Sequence, residues 1–217
     1  MDHPLLRLID ETFPLTLRTE EPVRFKASAM KFETVRYDAE GLGSVSLMKA
    51  SGMLGLMKME TLIVNPFSKD APLLSIDRIQ AMGSQMLYLE MFDTMLEPGF
   101  DLSGPEAVSK AYKALPDKDP GEHWYDHMRV GTPFIKKAGS KEKAMMDQAQ
   151  SEYLQAFLAA AKAAPACDPD LKREKAKAYS EGLLTNGGPA TDPVKASLGE
   201  EATAAFFRKT LFGTEES

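Results

Sequence analysis

Three strand-like segments separated by short breaks, "METLIVNPF", "APLLSIDRIQAM" and "QMLYLEMFDT", follow one another between residues 59 and 94. β-Branched and aliphatic residues fill the first, and Pro66 ends it because proline cannot donate to a ladder. Gly83 lies in the turn between the second and third. Strands joined by connections this short predict an antiparallel meander, since a parallel pair needs a long crossover.

Helical signals flank that meander. One or two helices are expected at the N-terminus, followed by strands from Val23 to Tyr37, where apolar and charged residues alternate in part, and a turn at "DAEGLG". Residues 44 to 59 are rich in small residues and Met, and their alternation is imperfect. After Pro98, "SGPEAVSKAYKAL" opens on a cap-like Ser103 with a proline in the first turn, and sets Val108, Tyr112 and Leu115 on one helical face. "PDKDPGEH" reads as a loop, and "FIKKAGSKEK" as a last strand running into a long helix over about residues 141 to 164. Met145, Tyr153, Phe157 and Leu158 fall near one side of that helix. A further helix spans Leu171 to Leu183, "TNGGPATDP" breaks it, and "EEATAAFFRKTLF" closes the chain. An antiparallel sheet with helices before and after it predicts a three-layer α/β/α sandwich, here as a single domain over residues 1–217.

Composition excludes several classes of function. A net charge of −6 argues against nucleic-acid binding, which draws its affinity from Lys and Arg neutralising phosphates. The one cysteine, Cys167, can neither close an internal disulfide nor hold an iron–sulfur cluster. No apolar run approaches the roughly 18 residues that cross a bilayer, and "MDHPLLRLIDETFP" carries acidic residues where a signal peptide needs basic ones. A cytoplasmic protein with no membrane contact is expected. Neither a GxGxxG after a strand nor a GxxxxGK[ST] is present.

"EHWYDH" places His123 and His127 four residues apart with Asp126 beside the second, a spacing that puts two imidazoles on one face of a helix. No third ligand is evident, and a hydrogen-bonded loop is the favoured reading over a metal site. Of the 13 methionines, nine bunch between Met30 and Met95, as core filler or as a polarizable lining for a planar ligand. Arg129, Lys136, Lys137, Lys141 and Lys143 form a basic stretch that is either a solvated face or a contact for an anionic ligand or an acidic partner.

Two carboxylates stand out by their apolar neighbours. Glu60 sits between "LMKM" and "TLIV", and Asp77 between "PLLSI" and "RI". On adjacent strands, both can point into one cavity, where desolvation and mutual repulsion raise at least one pKa and suit it to proton donation near neutral pH. Otherwise each lies on a solvated face, with Asp77 paired to Arg78 or a lysine.

"LIVNPF" followed by "APLLSIDRI" resembles the ferredoxin-dependent bilin reductases and the related red chlorophyll catabolite reductases, in which a proline-led strand of this pattern carries the central catalytic aspartate. The resemblance implies that Asp77 is that aspartate. Glu60 falls where phycocyanobilin-forming members have a histidine and the chlorophyll-catabolite branch a glutamate. "HWYDHMRVGTPFIKK" is similar to the family segment that ends on an aromatic, Ile and a basic residue, and it implies substrate contacts from Lys136, near a propionate, and from Arg129. "ATAAFFRKTLFG" is similar to the family's closing helix and its Leu-Phe. The chain departs from the family at the Asn-Asp pair before the last helix: counting from Tyr179 gives Asn186-Gly187, without the carboxylate, whereas a small gap substitutes Asp192.

The resemblance therefore implies a monomer without a tightly bound cofactor. Such a protein holds a linear tetrapyrrole between sheet and C-terminal helices, accepts single electrons from reduced ferredoxin docked on the basic stretch, and supplies protons from Asp77, Glu60 and Asp192. A carrier that binds a tetrapyrrole without reducing it has the same fold, and an unrelated α+β interaction domain remains a third reading.

Overall fold

The computed structural model describes residues 3–18, 22–27, 29–188 and 191–215. Its chain begins with α1 (Pro4–Thr12) and then lays down β1 (Leu15–Leu17), β2 (Val23–Ala27), β3 (Met30–Ala39) and β4 (Gly43–Gly52). The meander follows as β5 (Met57–Pro66), β6 (Leu73–Ala81) and β7 (Ser84–Phe92), then α2 (Ser103–Ala111) and β8 (Phe134–Gly139). Four helices complete the order: α3 (Lys143–Ala163), α4 (Pro169–Asn186), α5 (Thr191–Leu198) and α6 (Glu200–Ala205), the last running into a π-helical turn at Phe206–Leu211.

All eight strands form one antiparallel sheet in the order β1-β3-β4-β5-β6-β7-β8, with β2 pairing to the other half of the β3 edge. The meander is as the sequence predicts. Its β6–β7 hairpin closes on Ala81↔Ser84 around Met82 and Gly83, both at positive φ (47° and 80°), which is the backbone a two-residue primed turn requires. Within residues 44 to 59, whose alternation is imperfect, β4 carries an unbroken register from Gly43↔Pro66 to Gly52↔Met57, and residues 53–56 make the turn into β5.

Each face of the sheet buries its own core. Leu47, Leu62, Val64, Leu74, Ile76, Leu87 and Leu89 face a core shared with α1 and α3, whereas Met48, Ile63, Leu73 and Phe92 face one shared with the C-terminal segment. The period of two along each strand is what divides the side chains between these layers. The α/β/α sandwich is therefore as expected.

Local chemistry explains the helix ends. Pro4 pre-sets φ at the first turn of α1, whose Leu5, Leu6 and Ile9 are buried. The Asp168 carboxylate caps α4 by accepting from the backbone of Asp170 (2.9 Å) and Leu171 (3.1 Å). Ser103 is not a cap. It is the first residue of α2, and its N–H is taken by the Asp101 carboxylate at 2.9 Å. On α3 the buried methionine is Met146, while Met145 is exposed. Pro189 and Ala190 of the break expected after α4 lie outside the described residues.

The C-terminal turn is tied to the sheet through its free carbonyls. Ser46 Oγ donates to Leu211 (2.6 Å), Asn65 Nδ2 to Phe212 (2.9 Å) and Arg36 to Lys209 (2.5 Å), so side chains of three strands supply donors to backbone acceptors that the helix leaves open. Among the described residues no helix is long and apolar enough to cross a membrane.

Candidate functional site

The register decides which candidate residues meet. Thr61 stands opposite Asp77, and Glu60 opposite Arg78, so Asp77 and Glu60 project from opposite faces of the sheet. The shared carboxylate cavity expected from the sequence does not form. Neighbouring strands do carry the two residues, but one position of offset places them on different sides.

Asp77 faces the C-terminal helices. Thr61 Oγ1 and Ser75 Oγ both donate to its carboxylate, the latter at 3.1 Å. Burial pushes its pKa up, and these two hydrogen bonds only partly oppose the rise. Ser75 pairs in register with Glu90, which brings a second buried carboxylate onto the same face. Burial also raises the Glu90 pKa, against the Arg129 charge and hydrogen bonds and with some help from Asp77 and Asp126. Arg129 Nε lies 2.9 Å from Glu90, a second guanidinium nitrogen binds Asp126, and the guanidinium sits 5.5 Å above the Tyr125 ring.

Aromatic rings close over this polar group. Phe92 stacks on Tyr179 at 4.2 Å, and Tyr125 meets both edge-on at 5.5 and 5.8 Å. Phe212 and Trp124 pack against Tyr179 from the outside. Burial, with the nearby carboxylates, holds both tyrosine hydroxyls well above their usual pKa. The site is thus a carboxyl whose pKa burial raises, on a rigid strand, beneath a set of aromatic faces. Such an arrangement can stack a planar ligand and protonate it.

The other expected residues are elsewhere. Glu60 bonds the His3 ring at 2.8 Å; burial alone raises its pKa, but His3, Lys49 and Arg78 outweigh that and bring it below the usual value. Lys136 is buried on the Glu60 side, bonded to Asp117 and 5.0 Å from the Phe134 ring, and so does not reach the Asp77 face. Asp192 is exposed at the start of α5. Its Oδ1 lies 2.7 Å from where a Cβ on Gly187 would stand, so Asp192 fills the space that a side chain at residue 187 would take, outside the Asp77 cluster. His127 bonds the Trp124 carbonyl at 2.9 Å and His123 stacks on Tyr125 at 4.9 Å. Sequence reasoning missed Glu90, although "LYLEMF" shows the same carboxylate within an apolar strand that marks Asp77.

The architecture, one antiparallel sheet between two helical layers, is shared with a solved bilin-binding enzyme. Phytochromobilin synthase from tomato, solved in complex with biliverdin, superimposes with a TM-score of 0.72 over 97% of this chain and 80% of that one, at 14% sequence identity. No protein-family model matches the chain, and no curated protein matches it in sequence.

Proposed function

We propose that this protein reduces a linear tetrapyrrole of the bilin class, with electrons from reduced ferredoxin and with Asp77 as a proton donor. The observation that carries the proposal is Asp77 itself: a carboxyl whose pKa burial raises, facing the C-terminal aromatic layer of a fold that in phytochromobilin synthase accompanies bound biliverdin.

A two-electron reduction of the bilin consumes two ferredoxin electrons and two protons. Asp77 gives the first proton to the pyrrole system, which makes the bilin easier to reduce, and reloads from solvent for the second. The Asp77 charge raises the Glu90 pKa, whereas Arg129 beside Glu90 favours its ionised form. Ligand entry requires the rings of Tyr125 and Tyr179 to yield, because they pack on the Asp77 side of the sheet. Asp192, exposed at the start of α5, is assigned to the rim rather than to proton donation.

Anaerobic absorption spectra with biliverdin, before and after reduced ferredoxin, test the reading. A stoichiometric shift of the bilin bands, followed by a radical intermediate and a new product, is expected. An unshifted biliverdin spectrum refutes the reading. One observation favours a non-reducing carrier instead: Glu60, the expected second donor, faces away. In that case biliverdin binds to the wild type and to Asp77→Asn equally and neither turns over.

A further inference from the structure

The face opposite Asp77 holds a cavity of about 1020 Å³ between the sheet, α1 and the start of α3. None of Asp77, Glu90, Tyr125 and Tyr179 lines it. Seven basic residues line it against three acidic ones, in a chain whose net charge is −6.

The strand register explains how this excess arises. One row across the sheet reads Arg24, Glu33, Lys49, Glu60, Arg78, with signs alternating at every step. Each charge in it has an opposite neighbour. The adjacent row on the same face reads Lys26, Lys31, Ser51, Lys58, Gln80 and contains no carboxylate. Lys26 and Lys31 stand directly opposite each other, a pairing that destabilises a sheet unless something negative lies between them.

Arg78 adds a second, independent sign. It is 6% exposed, and one guanidinium nitrogen is used by Gln85 and Asp147, both at 3.1 Å. Its Nε and Nη1 are buried and have no hydrogen-bond partner. A desolvated guanidinium with two idle donors is costly, and such groups in folded proteins are normally met by a ligand, an ion or water. Both donors belong to a residue that lines the cavity.

We infer that this cavity is a second ligand site, separate from the Asp77 face, which takes a small organic oxyanion bearing phosphate or carboxylate groups. An oxyanion accepts a charge-assisted hydrogen bond from a free Arg78 donor, and the remaining negative charge lies over the Lys26, Lys31 and Lys58 row. The walls that α1 and α3 add to this half-open cleft suit a small molecule rather than the surface of an acidic protein.

Isothermal titration calorimetry of the full chain at low salt, with inorganic pyrophosphate and with citrate as probes, tests this. Saturable binding of either is expected, the stronger of the two identifying the oxyanion. Arg78→Met weakens it by about tenfold or more, the loss of a charge-assisted hydrogen bond, and Lys31→Ala with Lys58→Ala weakens it by a comparable factor. Asp77→Asn leaves it unchanged. Circular dichroism melts establish that Arg78→Met still folds, and the double lysine variant, altered only at the cavity floor, gives the answer if it does not. Failure of both probes to bind, or equal binding by a folded Arg78→Met protein, overturns the inference. Loss of affinity in the lysine variant beside unchanged affinity in a folded Arg78→Met protein also overturns it, since diffuse surface charge then accounts for everything.

Discussion

At the scale of single residues, Asp77 links stability to chemistry. Burial raises its folded-state pKa above the value of about 3.9 expected in the unfolded chain. Folding therefore takes up a proton, so the contribution of this group is fully present below the unfolded pKa and is lost as pH rises through the folded one. Wild type should lose stability relative to Asp77→Asn as pH climbs from about 4 through the ionisation of Asp77, and urea denaturation at stepped pH measures that difference. A constant gap between the two proteins contradicts the shift. The same substitution should lower bilin turnover about 10²–10⁴-fold, the usual worth of a positioned general acid, in a ferredoxin-coupled assay. Asp77 was legible in the sequence because a carboxylate within an aliphatic strand is rare and costly. Its companionship was not, because the six residues between β5 and β6 leave the register open, and a single step of register exchanges Thr61 for Glu60 as the neighbour of Asp77.

At the scale of elements, two junctions carry predictions. Met82 occupies the first position of the β6–β7 turn at φ 47°, a conformation in which a side chain is strained. Its own side chain is 78% exposed, so nothing is lost by replacing it. Met82→Asn restores the preferred Asn-Gly turn and should stabilise the protein by about 0.5–1 kcal/mol in thermal melts. The second junction is the Trp124 ring on α4. A Cβ placed on Gly182 would stand 2.0 Å from Trp124 Cη2, so Gly182→Ala must displace the indole. Ala gains about 1 kcal/mol in helix propensity, but overpacking costs about 1–3 kcal/mol. A lower melting temperature and a red-shifted emission of Trp124, the one tryptophan in the chain, are expected together. Strands and helices were legible here as far as periodicity reaches. Gly83 marked the hairpin and Ala-rich "LAAAKA" the long helix, yet Met145 and Met146 carry the same side chain, and the choice of which one is buried belongs to the packing of α3 on the sheet.

At the scale of the whole molecule, the sheet separates two cores that answer to different constraints. The α1/α3 side is mostly aliphatic, with Tyr153 and Phe157 of α3 buried in it, and charged at its rim, whereas the other side is richer in aromatic rings and is covered by a C-terminal segment held through hydrogen bonds from Arg36, Ser46 and Asn65. If, as proposed, a bilin enters on the Asp77 side, it lifts part of that cover, and its apparent affinity then scales with the fraction of molecules in which the cover is open. Asn65→Ala removes one tie, the 2.9 Å bond to the Phe212 carbonyl, and its own Oδ1 has no partner to lose. The free protein should then be less stable by about 1–3 kcal/mol, through the carbonyl left unpaired. Biliverdin should nevertheless associate faster with the variant in stopped-flow absorption, because destabilising the closed state enlarges the open fraction. Effects of opposite sign on stability and on association rate distinguish this from ordinary loss of structure, which lowers both. An unchanged rate beside a lowered melting point means that the cover does not move, and that the ligand enters by another path.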